Sequence, residues 1–227
     1  MLLAAGHGLL SKETISRTNS RVKRLLQMLE MRTSSFEAVD RKDTPFFSAQ
    51  QVAISERPLV QKYLVKADLS DRKTANIVEQ TFGIGAFPAP NVAIAWSGRT
   101  IVWLGPDELL IVHDRDLAPV DDMYSKATKH ELPCLFLDVS DQRTIFRVQG
   151  AGAKNVLTRG SSIDLRPDRL VTGECRQTLL AGVAVLIHRF EELGYDIYVD
   201  QTYRDYLSKW IATTVEYALF SPSARDR

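Results

Sequence analysis

The sequence predicts an α+β fold in which antiparallel sheets and helices are arranged as two similar halves. Three observations support this. Short runs of β-formers are separated by tight turns such as Ser97-Gly98 and "GPDE", the signature of antiparallel meanders. Each half reads strand, helix, then antiparallel strands. The stretches 97–112 ("SGRTIVWLGPDELLIV") and 181–199 ("AGVAVLIHRFEELGYDIYV") share a glycine, a β run, an acidic turn and a second β run.

The elements follow in order. Residues 1–35 carry Lys12, Arg17, Arg21, Lys23, Arg24 and Arg32 against Glu13 and Glu30, so the remainder of the chain is net acidic. Val22, Leu25, Leu26 and Leu29 share one helical face within 21–31. Three readings stay open: a basic helix for a partner or membrane surface, a loosely held arm, or a true start at Met31. Residues 1–48 are read as a basic flexible extension. The span 36–58 is polar and Pro-punctuated and is expected to be irregular. A first α+β subdomain, 49–130, holds a strand at 63–69 and a helix over 71–82 capped by Ser70. It continues with strands at 92–96, 100–104 and 109–113 and a helix over 119–130. A second subdomain, 131–220, holds strands at 135–140 and 144–150 and a short helix over 151–160 stopped by Gly160. A further meander runs from 175 to 200. There Tyr195, Ile197 and Val199 are expected to face the core, while Asp196, Tyr198 and Asp200 form a polar face. The last helix, 202–220, starts at Thr202 and Asp205 and presents Tyr203, Tyr206, Leu207, Trp210, Ile211 and Val215. Residues 221–227 form a tail.

Composition excludes several function classes. The 227 residues can bury a real core, and 44% hydrophobic with 25% charged residues is ordinary for a globular protein. A net charge of +1 provides no global attraction to nucleic acid or membrane. No apolar run is long enough to cross a bilayer. "MLLAAGHGLLS" lacks the charged start, unbroken apolar core and cleavage site of a signal peptide, so the chain is expected to be soluble and unprocessed. Cys134 and Cys175 form no metal or redox motif, and a reducing cytoplasm suits them; a disulfide between them stays open at this level.

The candidate motifs point away from chemistry. Gly150 and Gly152 in "VQGAGAKNVL" lie between a strand and a helix, as in a dinucleotide fingerprint, but Asn155 stands where the third glycine belongs. A tight strand-to-helix turn fits better. Ser140 in "LDVSDQR" lacks a nucleophile elbow and reads as a turn serine, and its likeness to "ADLSDRK" (67–73) reads as coincidence. His7, His113, His130 and His188 show no metal-ligand spacing. His113 and His188 are each read as ending an inner strand, in equivalent places in the two halves. Asp121/Asp122 and Glu191/Glu192 read as solvated turns. Trp96, Trp103 and Trp210 read as core or interface. The expected catalytic, cofactor-binding and metal-binding residues are therefore none.

One resemblance goes further. "LDVSDQRTIFRVQGAGAKNVLTRGSSIDLRP", "GECRQTLLAGVAVLIHR" and "YDIYVDQTYRDYLSKWI" resemble the gamma subunit family of heterotetrameric sarcosine oxidase over about residues 100–211. Its broader kin is the folate-binding fold of the glycine-cleavage aminomethyltransferases. The resemblance implies a structural subunit without a prosthetic group, docking on an alpha subunit beside beta and delta subunits. It implies FAD, FMN, NAD and tetrahydrofolate in the partner subunits, with no nucleic acid and no membrane. The substrate implied is sarcosine, or N-methylglutamate in sister dehydrogenases; a free-standing folate-dependent one-carbon protein is the other reading. In the aminomethyltransferases an acid lies on the strand after the "TLL" segment. Here Val183, Ala184, Val185, Leu186 and Ile187 occupy that stretch, and none can replace a carboxylate.

Overall fold

A computed structural model describes residues 47–49, 51–57, 60–113 and 134–220. The helices expected over 21–31 and 119–130, together with His7, His130, Asp121, Asp122 and the tail, lie outside the described residues. The described residues all fall within one compact unit.

The β-rich runs form strands β1 (Phe47–Ala49), β2 (Val52–Glu56), β3 (Gln61–Ala67), β4 (Ala93–Trp96), β5 (Arg99–Gly105) and β6 (Glu108–His113). They continue as β7 (Cys134–Asp138), β8 (Arg143–Gln149), β9 (Cys175–Leu180), β10 (Val183–Glu191) and β11 (Gly194–Asp200). The helices are α1 (Arg72–Phe82), α2 (Ala153–Leu157) and α3 (Arg204–Phe220). One sheet has the order β4-β5-β6-β3-β7 and the other β1-β2-β8-β11-β10-β9, every pairing antiparallel.

The duplication is visible in this order. The run β3-α1-β4-β5-β6 repeats as β8-α2-β9-β10-β11, with the same strand order in each sheet. The strand before each repeat crosses over: β2 pairs with β8 of the second half, and β7 pairs with β3 of the first. Each half therefore completes the other's sheet. Backbone bonds secure both crossings, from Arg57 N–H to Ile145 O (2.9 Å) and from Val139 N–H to Lys62 O (2.8 Å). The irregular segment expected over 36–58 is corrected here, because its later part supplies β1 and β2. Sequence pattern missed them because an exchanged strand takes its register from a distant partner.

Four layers result. Helix α1 covers the outer face of the five-stranded sheet through Val78 and Phe82, against Val65, Ile101 and Ile111. Helices α2 and α3 cover the six-stranded sheet through Val156, Leu207, Ile211 and Val215, against Ile54, Phe146 and Ile197. Between the sheets, Val102, Leu110 and Val112 meet Ile145, Leu186 and Tyr198. Strand β11 is thus covered on both faces, and the polar face expected for Asp196 and Tyr198 is corrected: both are buried. The stripe of α3 is also narrower than expected, since Tyr203 and Tyr206 are exposed and Trp210 is half-buried.

Local chemistry explains the ends. Asp71, not Ser70, caps α1, accepting from the Thr74 N–H at 3.0 Å. Ser70 instead donates its N–H and hydroxyl to Asp68. The same turn recurs after β7, where the Ser140 N–H donates to Asp138 at 2.9 Å, and after β11, where Thr202 donates to Asp200. The likeness between "ADLSDRK" and "LDVSDQR" therefore has a cause: an Asp-x-Ser turn terminates each strand. Asp200, rather than Thr202, opens the turn into α3.

Two glycines separate strain from crowding. Gly182 has φ +81° in open space, whereas Gly150 has φ +111° and a Cβ there would collide with the Gln51 carbonyl. We expect Gly182→Ala to cost about 1 kcal/mol of backbone strain in urea denaturation. Gly150→Ala, which adds the collision, is expected to cost roughly 3 kcal/mol. Equal losses would refute the close approach.

Candidate functional site

The "GAGAKN" turn has a structural task. Gly152 leaves room for Val52, which a Cβ would approach to 2.6 Å, and its N–H donates to Gln51 O at 3.0 Å. The β1–β2 turn packs onto it. Helix α2 is only five residues long. Ser140 is likewise a tie, its hydroxyl accepting the Lys62 N–H at 2.9 Å.

The sheet brings together residues that the sequence separates. Register places Cys175, His188, Asp196, Arg147 and Ser55 side by side across β9, β10, β11, β8 and β2. All point toward the other sheet, and all but the half-buried Arg147 are buried. Arg147 grips Asp196 with two bonds of 2.8 Å, and Arg57 approaches the same carboxylate at 3.5 Å. A bulge between Arg189 and Glu191 sets the Phe190 ring 4.1 Å from the Arg147 guanidinium. Asp196 is the residue that sequence reading missed. The available signal was an acid in "YDIYV" facing an arginine in "TIFRV", two otherwise apolar strands.

This row resembles a nucleophile, base and acid only in composition. Burial pushes the Cys175 thiol up to about 11, so it stays protonated, with Sγ toward Trp103 O at 3.7 Å. Burial, reinforced by Arg147 and Arg57 and opposed by Asp196, holds His188 down to about 4. Its Nδ1 is buried without a hydrogen-bond partner among the described residues. His188 is thus a neutral interior histidine. It lies within β10 and does not end it, so its expected equivalence with His113, the last residue of β6, is corrected. Glu191 and Glu192 are exposed, as is Trp96; Trp103 is half-buried. Cys134 and Cys175 are free thiols. Among the described residues no group of three or more His, Cys, Asp or Glu side chains could hold a metal ion, and no helix is long and apolar enough to cross a membrane.

A cleft of about 300 Å³ opens between the sheets at the far end of β11 from Asp196. Leu104 and Glu108 line it from the five-stranded sheet. Arg143, Gln177, Ala184, Leu186, Tyr198 and Asp200 line it from the six-stranded sheet. Gln177 closes one side by donating to Leu104 O at 2.7 Å. The stretch 183–187 contributes Ala184, Val185 and Leu186 here, and none can exchange a proton with a folate nitrogen. Those residues do not fit the role of a base toward folate.

Two measurements test the ionic row. Asp196→Asn removes the buried charge that Arg147 grips and Arg57 approaches, and is expected to cost about 3–5 kcal/mol in denaturation. His188 binds its proton more weakly folded than its ordinary value of 6.5, so it favours the fold fully above that pH and progressively less as pH falls toward 4. The slope is at most about 1.4 kcal/mol per pH unit. Melting curves of wild type and His188→Gln should therefore converge as pH falls from 6.5 to 4; parallel curves would contradict a buried neutral imidazole.

Comparison with known proteins places these features in a family. The family model "Sarcosine oxidase, gamma subunit family" matches residues 66–216. The sarcosine oxidase subunit gamma of Corynebacterium sp. strain U-96 is 28% identical over 115 residues, 51% of this chain and 55% of that protein. Its counterpart in Corynebacterium sp. strain P-1 is 26% identical over 133 residues, 59% of this chain and 64% of that one. The chain thus spans somewhat over half the length of these curated relatives. Among solved structures, a chain of the heterotetrameric sarcosine oxidase from Corynebacterium sp. U-96 superposes with a TM-score of 0.69 at 22% identity, covering 84% of this chain and 94% of that chain. Glycine cleavage system aminomethyltransferase T from Bartonella henselae superposes with a TM-score of 0.53 at 12% identity, covering 71% and 45%. Both likenesses show a shared fold, similar to the folate-binding fold of the aminomethyltransferases. With the family model matched from the end of β3 through most of α3, this chain belongs to the sarcosine oxidase gamma subunit family.

Proposed function

We propose that this chain is a structural subunit of a sarcosine-oxidase-type assembly, docking on its alpha subunit and contributing no active site. The family match over 66–216 is the observation that carries the reading. The inert thiol and imidazole of the buried row support it, because the chain's closest approach to a catalytic set is held in unreactive protonation states. FAD, FMN, NAD and tetrahydrofolate then belong to the partner subunits, among them beta and delta, and the work is done in the cytoplasm. The surface offers material for an interface. Tyr203, Tyr206 and Tyr217 on or beside α3, and Leu179 on the edge strand β9, are exposed.

Co-expression with the alpha, beta and delta subunits tests this. We expect a stoichiometric, flavin-coloured complex that oxidises sarcosine, in which the chain melts at a higher temperature than alone. Turnover of N-methylglutamate in place of sarcosine would assign the assembly to the sister dehydrogenases. A lone, colourless, highly stable chain that binds tetrahydrofolate would overturn the subunit reading in favour of a one-carbon protein.

A further inference from the structure

We propose that the outer edge of β7 receives an extended, uncharged strand of the alpha subunit, which pairs with it antiparallel and covers Leu135 and Leu137. This contact rests on the subunit reading above and locates the docking surface within it.

The internal duplication shows what belongs at that edge. Strand β7 lies outside β3 as β2 lies outside β8, and β3 and β8 are the first strands of the two repeats. Outside β2 stands β1, a three-residue uncharged strand paired antiparallel to it. Outside β7, among the described residues, no strand stands. The five-stranded sheet thus ends one strand earlier than its counterpart, at the place that β1 fills in the other half.

The other sheet edges are protected. The starts of β4 and β9 bond to each other: Val92 bridges to Glu174, Ala93 N–H donates to Gly173 O at 2.7 Å, and Cys175 N–H donates to Asn91 O at 2.8 Å. Strand β1 is protected by its shortness. Strand β7 has none of the usual devices. Cys134, Leu135, Phe136 and Leu137 include no charge and no proline, and the pairing with β3 runs without a bulge.

The ladder fixes which groups are on offer. Val139 N–H donates to Lys62 O, so antiparallel alternation turns the N–H groups of Leu135 and Leu137 toward β3 and those of Phe136 and Asp138 toward the open side. The Phe136 ring is held beneath α1, with its centroid 4.5 Å from that of Phe82. Leu135 and Leu137 alternate to the opposite face and are 49% and 42% exposed. A neutral apolar strand laid along this edge satisfies the free backbone groups and buries both leucines. Size decides against a second copy of this chain. Strand β7 has five residues, and two copies joined through it would bury far less than the roughly 800 Å² per partner of a stable interface. A large subunit adds such a strand as one part of a wider contact.

Hydrogen–deuterium exchange read at single residues tests this, on the full chain alone and in the co-expressed complex with the alpha, beta and delta subunits. The amides of Phe136 and Asp138 are expected to exchange rapidly in the free chain and about tenfold more slowly in the complex. Leu135→Lys and Leu137→Lys should each weaken association with the alpha subunit by about tenfold. Because both sites are exposed, neither change should shift the melting temperature of the free chain by more than about 2 °C. A complex that assembles with these amides still exchanging freely, or that tolerates both lysines, would overturn the added strand and leave the subunit reading standing. Failure to form any complex would overturn both. Protection of these amides already in the free chain would also refute the added subunit strand: protection that grows with concentration would identify a second copy at the edge, and protection independent of concentration a segment of this chain.

Discussion

The exchange of β2 and β7 between the two sheets is the constraint on which the rest of this structure depends. Each repeat of strand, helix and three strands leaves the outer edge of its first strand open, and that edge is filled by the strand preceding the other repeat. An open edge of unpaired backbone groups is costly and prone to wrong pairing, so the exchange both satisfies the backbone and joins the halves. Neither half closes its sheet alone.

The polar interior follows from that exchange. After β2 the chain must leave one sheet and enter the other within a few residues; Arg57 lies on this crossing and Lys62 at the start of β3. Arg57 reaches Asp196, while burial lowers Lys62 to about 8 as its Nζ donates to Val60 O at 3.0 Å. At the start of the crossing Glu56 is gripped by Arg204 at 2.6–3.1 Å, tying the exchanged strand to α3. A buried carboxylate such as Asp196, paired across strands, adds little net stability but punishes mispairing, since a slipped register leaves an uncompensated charge inside. The position of these pairs at the junction is consistent with a role in specifying which strand pairs with which.

The same arrangement explains why a chain containing cysteine, histidine and aspartate in one row is chemically quiet. Reactivity needs a thiolate, a titrating imidazole and access. The closed inter-sheet layer withdraws all three by keeping Cys175 and His188 neutral. What remains open is the cleft at the other end of β11, where charged groups line the gap between the sheets.

The sequence by itself determined the elements whose cause is local. Turn residues, β-runs and the positions of α1 and α3 were legible because each depends on neighbours within a few positions. The repeat between 97–112 and 181–199 was also legible, and it corresponds to the hairpins β5–β6 and β10–β11. Absence of an acid in 183–187 could be read directly. Other features were decided only in three dimensions. Strands β1 and β2 looked irregular, because β2 is ordered by β8, nearly a hundred residues away, and β1 is in turn ordered by β2. Asp196 and Tyr198 looked solvent-facing, because alternation cannot reveal that a second sheet covers the polar side. The gathering of Glu108, Arg143, Tyr198 and Asp200 around one cleft was equally hidden, since no sequence spacing links strands that meet only when two sheets stack.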